Sequence, residues 1–432
     1  MPHLPFTAQA LAMAAAIFCG AGTAAAEAET PRSVLGRLWH QEALTGDWGG
    51  ARTALEQRGL SFELDYTIDH FANTRGGVRR RGETLGNVDM MLTAELEPLL
   101  GWKNARVFLY GLGNHGGNPS ANVGDVQGVD NIETIDTWKL YEAWFEQRFG
   151  DDRLSLLVGL YDLNAEFDVI PAAGLFLNSS FGIGPDFAQS GLNGPSIFPT
   201  TSLGARVEFR PFESVYTRAV VLDGVPGDPD SPRGTHIVLA EEDGLLLAAE
   251  IGFEHDPPLD TGGYPGKYAL GVWGYTTDLD DLVQTDPDGG PLQRDGTRGF
   301  YALAEQSVYR EAPDPAQGLT LFARAGVADA DVNPLESYVG GGGVYRGLIP
   351  GRHEDELGVA VAATRFGDAY REAARLADAA TDRWEVALEF SYLCQLSQWL
   401  SVQPDVQIIV NPGGDPSLDD ATVLGIRFVI GL

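Results

Sequence analysis

Ala421-Thr422-Val423-Leu424-Gly425-Ile426-Arg427-Phe428-Val429-Ile430-Gly431-Leu432 is the stretch whose reading decides the fold class. Leu424, Ile426, Phe428, Ile430 and Leu432 fall on one face of an extended chain, and Arg427 falls on the other. Side chains alternate across a strand, so this two-residue period predicts a β-strand with one wholly apolar face. On the edge of a soluble sheet such a face is an aggregation hazard. In the wall of a transmembrane barrel the same face meets lipid and both strand edges are paired. A strand of this pattern also suits recognition by barrel-assembly machinery, with Phe428 as its last aromatic residue.

The period recurs upstream. Phe62, Leu64, Tyr66 and Ile68 alternate with Glu63, Asp65, Thr67 and Asp69. Trp384, Val386, Leu388 and Phe390 alternate with Glu385, Glu389 and Ser391, and Val402, Val406, Ile408 and Val410 alternate with Gln403, Asp405 and Gln407. One face is charged and the other is nearly uncharged, over the roughly ten residues that a tilted strand needs to cross a bilayer. Aromatic residues near segment ends (Trp102, Tyr161, Tyr275, Tyr309, Trp384, Tyr392 and Trp399) suggest interfacial girdles.

About sixteen such segments can be counted: 61–71, 86–96, 105–113, 134–148, 154–161, 203–210, 215–223, 245–253, 267–276, 299–309, 318–326, 337–346, 356–366, 383–394, 399–411 and 421–432. Segments 105–113, 299–309 and the Gly-rich 337–346 are ambiguous in face. Odd-numbered connections, such as 114–133 and 162–202, are long, while 149–153, 211–214 and 395–398 are tight. Short turns at one end and long loops at the other are the asymmetry of an outer-membrane barrel. The expected fold is therefore all-β, a transmembrane antiparallel up-and-down barrel of about 16 strands.

Composition agrees. The 432 residues include 54 Gly and 42 aromatics (20 Phe, 14 Tyr and 8 Trp), which favours strands and turns. The formal net charge of −32 disfavours nucleic acid and anions as partners. Residues 1–26 read as a signal peptide, with an apolar core around Leu11–Phe18 and Ala24-Ala25-Ala26 before Glu27. Residues 27–60 read as a periplasmic helical or plug segment, with helices over Pro31–His40 and Ala51–Arg58, and 61–432 as the barrel. The expected mature chain keeps Cys394 alone and forms no internal disulfide.

Several segments carry a family likeness. They are Leu44-Thr45-Gly46-Asp47-Trp48-Gly49-Gly50-Ala51-Arg52, Gly159-Leu160-Tyr161-Asp162-Leu163-Asn164-Ala165-Glu166-Phe167, Phe176-Leu177-Asn178-Ser179-Ser180-Phe181-Gly182, Trp399-Leu400-Ser401-Val402-Gln403-Pro404-Asp405 and Val410-Asn411-Pro412-Gly413-Gly414. Together, and in this order, they resemble the carbohydrate-selective porin family, OprB. The resemblance implies a sixteen-stranded barrel in the outer membrane of a Gram-negative bacterium and passive uptake of small, glucose-like sugars.

A sugar pore needs hydrogen-bonding groups at a narrow point and aromatic surfaces for the ring's apolar face. The long connection 162–202 is expected to fold into the lumen, presenting Asp162, Asn164, Glu166, Asp168 and Asn178, with Phe176, Phe181 and Phe187 packed on the wall. In the basic cluster Arg75, Arg79, Arg80 and Arg81, either one or two arginines line the constriction opposite those acids or the cluster is an exposed outer loop that meets lipopolysaccharide or nothing. Asn164 and Glu166 also suit a role in pinning the loop base, and Asp47 and Trp48 suit either a plug or a structural turn. Arg106, Arg206, Arg218 and Arg324 should point inward, since a lipid-facing arginine costs about 2–4 kcal/mol at the midplane.

No cofactor, metal site or enzymatic activity is expected. His353-Glu354 is followed by Leu357 where a zinc-binding HExxH needs histidine, and Ser196 lacks the second Gly of a nucleophile elbow. The acidic stretch Asp278–Asp288 lacks calcium-loop spacing. Expected partners are small sugars, outer-membrane lipid and lipopolysaccharide, and the assembly machinery, with a homo-oligomer left open. The acidic balance keeps a general or cation-preferring porin as the alternative, and a barrel hydrolase is the alternative of another class.

Overall fold

The computed structural model describes Trp39 and residues 41–257, 263–311 and 316–432. The expected signal peptide lies outside the described residues, as does all of the expected Pro31–His40 helix but Trp39. From Glu42 onward the chain opens with a turn of 3-10 helix, Trp48–Gly50, and helix α1, Ala51–Glu56. Eight strands follow: β1 Leu60–Arg75, β2 Gly82–Glu95, β3 Ala105–Gly116, β4 Thr137–Phe149, β5 Leu154–Tyr161, β6 Ser202–Phe212, β7 Val215–Asp223 and β8 Leu245–His255. Eight more complete the wall: β9 Gly266–Thr285, β10 Pro291–Arg310, β11 Gly318–Ala328, β12 Leu335–Arg346, β13 Glu356–Phe366, β14 Trp384–Ser397, β15 Leu400–Val410 and β16 Ala421–Gly431. Each pairs antiparallel with its sequence neighbours, and β1 closes on β16 to give a sixteen-stranded barrel without edges.

Closure is reinforced by the N-terminal segment. The Leu44 amide donates to the Gly431 carbonyl at 2.8 Å, and Arg52 donates to the Leu432 carbonyl at 3.0 Å. Asp47 accepts from the amide and hydroxyl of Thr53, both at 2.9 Å, while the Arg52 guanidinium lies 4.9 Å from the Trp48 ring centroid. The Leu44–Arg52 motif is thus a clasp over the β1–β16 seam.

Alternation sorts the faces. Leu270, Phe300, Val339, Val361, Phe390 and Leu424 are exposed on the outside, as a lipid-facing wall requires. Asp69, Glu250, Arg324, Glu385, Glu389 and Gln407 point inward and are buried. Arg106, Arg206, Arg218 and Arg324 all pair with inner-face or loop carboxylates. Trp102, Tyr309 and Trp384 are exposed near strand ends as a girdle demands, but Tyr161 and Tyr275 are buried and turned inward.

Strands β9 and β10 extend further than the sequence reading expected. The acidic 277–298 region forms a hairpin with only residues 286–290 between its strands. Beyond the bilayer a strand needs no apolar face, and cross-strand polar pairs suffice: Arg294 bridges to Asp281 at 2.8 Å and Gln293 donates to Asp280 at 2.6 Å.

Candidate pore constriction

The connection after β5, here L3 (162–201), folds into the lumen. Its apolar side chains drive this, because the inner wall opposite is apolar as well. Phe187 stacks on Trp273 of β9 with centroids 4.7 Å apart, and Phe176 and Phe181 pack on Phe322 of β11 at 5.7 and 6.3 Å. Small wall residues make room. A Cβ on Gly358 would lie 2.6 Å from Leu175 and 2.7 Å from Phe176.

The connection after β3, here L2 (117–136), folds inward beside it. The two loops share backbone bonds: the Asn131 amide donates to the Leu177 carbonyl and the Ser179 amide to Gly128, both at 2.8 Å. The wall holds this shelf by a recurring device, in which a buried carboxylate accepts loop backbone amides. Glu385 accepts from Val126 at 3.0 Å, Gln127 at 3.1 Å and Gly413 at 2.5 Å. Glu389 accepts from Leu177 at 2.5 Å and Asn178 at 3.0 Å, Glu250 accepts from Asp168 at 3.0 Å, and Glu305 accepts from Ala172 at 2.6 Å. Conversely, Gln403 and Gln407 donate to the carbonyls of Leu175 and Val129.

Charged side chains pin the ends. Arg324 donates to Asp168 at 2.7 Å and also to Asp186. Glu166 accepts from Tyr161 at 2.5 Å and from Arg206 at 2.7 Å. Asp162 accepts from Tyr141 at 2.5 Å and from the Asn164 amide at 2.8 Å, and Asn164 donates to the Phe167 and Gly182 carbonyls. Arg427 bonds Asp69 at 2.6 Å, Asn131 at 2.7 Å and Asp130 at 3.2 Å, tying L2 to the seam strand.

Burial sets the protonation of the loop acids. It raises Asp162 to about 6, opposed by the donors Tyr141 and Asn164. It raises Asp168 to about 6 as well, against the pull of Arg324. Burial, and then the neighbouring Glu385, push Asp125 well above the usual carboxylate range.

The candidate residues therefore separate. Asp168 and Asn178 are 3% and 0% exposed and hold the loop from within. Asn164 and Glu166 are partly exposed at the loop base. Arg79, Arg80 and Arg81 lie exposed in the connection between β1 and β2, where Arg79 donates to Asn122 of L2 at 2.5 Å and Arg81 bridges to Glu83 at 2.9 Å. Sequence reasoning missed L2, Glu385, Glu389 and the Asp69–Arg427–Asp130 group. The inward acids were visible, but their partners are backbone amides, which carry no residue signature.

L3 covers the inner wall along β8–β15, L2 bonds Asn73, Glu83 and Asn114 at the loop-side ends of β1–β3, and the inner face of β1–β3 below L2 borders the passage with Asn131 of L2 and Arg427 of β16. Asp65, Asp89, Tyr110, Asn131 and Arg427 remain partly exposed there, facing a passage of mixed charge. A sixteen-stranded barrel narrowed from within by two fixed loops is the architecture of a diffusion pore. A model of the carbohydrate-selective porin, OprB family matches residues 79–432. The chain belongs to the carbohydrate-selective porin family. Porin B of Pseudomonas aeruginosa is 28% identical over 95% of this chain and 94% of its own length. The putative porin QuiX of Acinetobacter baylyi is 23% identical over 90% and 93%. The high-pH structure of Pseudomonas putida OprB shares the fold, with a TM-score of 0.82 at 24% identity over 91% of this chain and 99% of that one. Membership of this porin family, on a barrel of this kind, places the chain in the outer membrane.

Proposed function

We infer that the chain is a passive pore for small neutral carbohydrates of about monosaccharide size. One observation carries the reading beyond family membership. The partly exposed groups at the passage mix signs and types: Asp65, Asp89, Glu166, Arg427, Asn131 and Asn164. Such a set offers both donors and acceptors to sugar hydroxyls. Asn164 and Glu166 are the solute contacts in this reading, and Asp168 and Asn178 act by positioning. The chain works as a channel and needs no catalyst, cofactor or metal.

The net charge of −32 favours a second reading, a general or cation-preferring pore. Liposome swelling with glucose and with amino acids of similar size separates the two. Faster glucose entry is expected, and equal rates would overturn carbohydrate selectivity. The exposed Arg75 and Arg80 suit phosphate groups of lipopolysaccharide, and the β16 face suits the assembly machinery. Loss of heat-modifiable barrel on replacing Phe428 by Asp would support that role for β16.

A further inference from the structure

Below the shelf, the inner face of β3 and β4 carries aromatic rings, of which Tyr110 also borders the passage. Phe108 and Tyr110 of β3 and Trp144 of β4 lie on the inner face, in register with inner-face Thr93, Met91 and Glu142. The Phe108 and Trp144 rings stack with centroids 4.9 Å apart and planes 29° apart. Phe108 meets Tyr110 edge-on at 6.3 Å, and Tyr110 meets the buried Tyr141 edge-on at 5.0 Å. Arg106, one residue into β3 from the turn opposite the loops, sets their depth at the periplasmic half.

Their exposure is the point that needs a reason. Elsewhere on the inner wall the large aromatics are covered: Trp273 by Phe187, and Phe322 by Phe176 and Phe181. Phe108, Tyr110 and Trp144 stay partly exposed to a wet passage, Trp144 with one side packed on the core. Apolar ring surface left in water is unfavourable. A ligand with an apolar face would relieve it.

The surrounding polar groups specify the rest of that ligand. Tyr110 donates to Asp89 at 2.6 Å, Trp144 donates to Glu142 at 3.0 Å, and Arg106 lies 5.1 Å from the Trp144 ring centroid while bonding Glu146 at 2.5 Å. Carboxylate oxygens and a guanidinium thus rim a ring platform. A pyranose matches: its C–H face lies on aromatic rings and its equatorial hydroxyls reach acceptors and donors at the edge. We propose that Phe108, Tyr110 and Trp144 form a second sugar subsite on the periplasmic side of the constriction, selective for the closed pyranose ring. The subsite rests on the carbohydrate-pore reading. It receives a sugar leaving the shelf and holds it weakly, so that exit stays fast.

The test uses the mature chain in planar bilayers and in liposomes. Glucose is the ring probe. Mannitol, a polyol of similar size with no ring face, is the control. In the native channel glucose should block ion current saturably and enter faster than mannitol. Phe108→Leu and Tyr110→Leu keep apolar bulk and remove a ring, and each should weaken glucose block by roughly five-fold, the scale of one lost ring contact. In Phe108→Leu mannitol entry and sugar-free conductance should be unchanged, and heat-modifiable migration reports correct folding of both variants. Tyr110→Phe keeps the ring and should keep the block. A native channel without saturable glucose block or glucose preference would sink the carbohydrate reading itself. A native channel that shows both, with Leu variants that still block at the native glucose concentration, would overturn the subsite alone.

Discussion

Replacing Glu385 by Ala tests the idea that wall carboxylates hold the loops. Glu385 is fully buried and accepts from four loop donors: the amides of Val126, Gln127 and Gly413 and the side-chain amide of Gln127. Hydrogen bonds to a charged acceptor contribute about 1.5–3 kcal/mol each, a gross of roughly 4.5–9 kcal/mol for the three from L2, the Gly413 bond holding the β15–β16 connection instead. Against this stand the several kcal/mol of desolvating a carboxylate and repulsion from Asp125, which its raised proton affinity limits. A net local stabilisation of about 3 kcal/mol remains, or roughly 150-fold in the opening equilibrium of L2. The strands do not depend on Glu385, so barrel stability should hardly change. Amide hydrogen exchange over residues 125–131 should accelerate by about two orders of magnitude, and single-channel conductance should rise and become noisier. Native exchange rates together with native conductance would refute the anchoring argument.

Three further outcomes are expected. Arg324→Met leaves Asp168 and Asp186 buried without their cation, at a cost of about 3–5 kcal/mol. L3 should detach from β11, which protease susceptibility between 163 and 190 and a raised conductance will report. Asp162 binds its proton more tightly in the folded loop than in a free one, since burial raises it to about 6. L3 should therefore gain stability as pH falls through about 6 toward about 4 and lose it on the way back up, and Asp162→Asn should reduce the dependence in hydrogen exchange to the share that Asp168 retains. Arg52→Ala removes the bond to the Leu432 carbonyl and the contact with Trp48. It should lower the unfolding temperature of the heat-modifiable band by the equivalent of about 1 kcal/mol, and an unchanged temperature would exclude the clasp.

Much of the architecture was legible because a barrel wall imposes the same two-residue period on every strand. Glu385, Glu389, Gln403 and Gln407 were readable as inward-facing from alternation alone, and Phe176, Phe181 and Phe187 as wall contacts of an inward loop. Asp168 and Asn178 were found as loop residues of consequence, yet their burial could not be seen from spacing. The depth of L2 was hidden altogether, because its fixing points are backbone amides of Val126 and Gln127 meeting a carboxylate some 258 residues away. The segment 105–113 was ambiguous in face because Phe108, Tyr110 and Leu112 are apolar on the inner side while Val107 and Leu109 are apolar on the outer side.

Sequence alone determined the faces of the strands with clear alternation, the closing strand, the side bearing the long loops and, through the resemblance of its motifs, the family. These rest on local periodicity and short segments, which need no knowledge of what lies across the barrel. Tertiary structure alone decided which residues are buried anchors and which stay at the open passage. That choice depends on where two loops come to rest against a wall assembled from all sixteen strands, and no local pattern encodes which acid will find which amide.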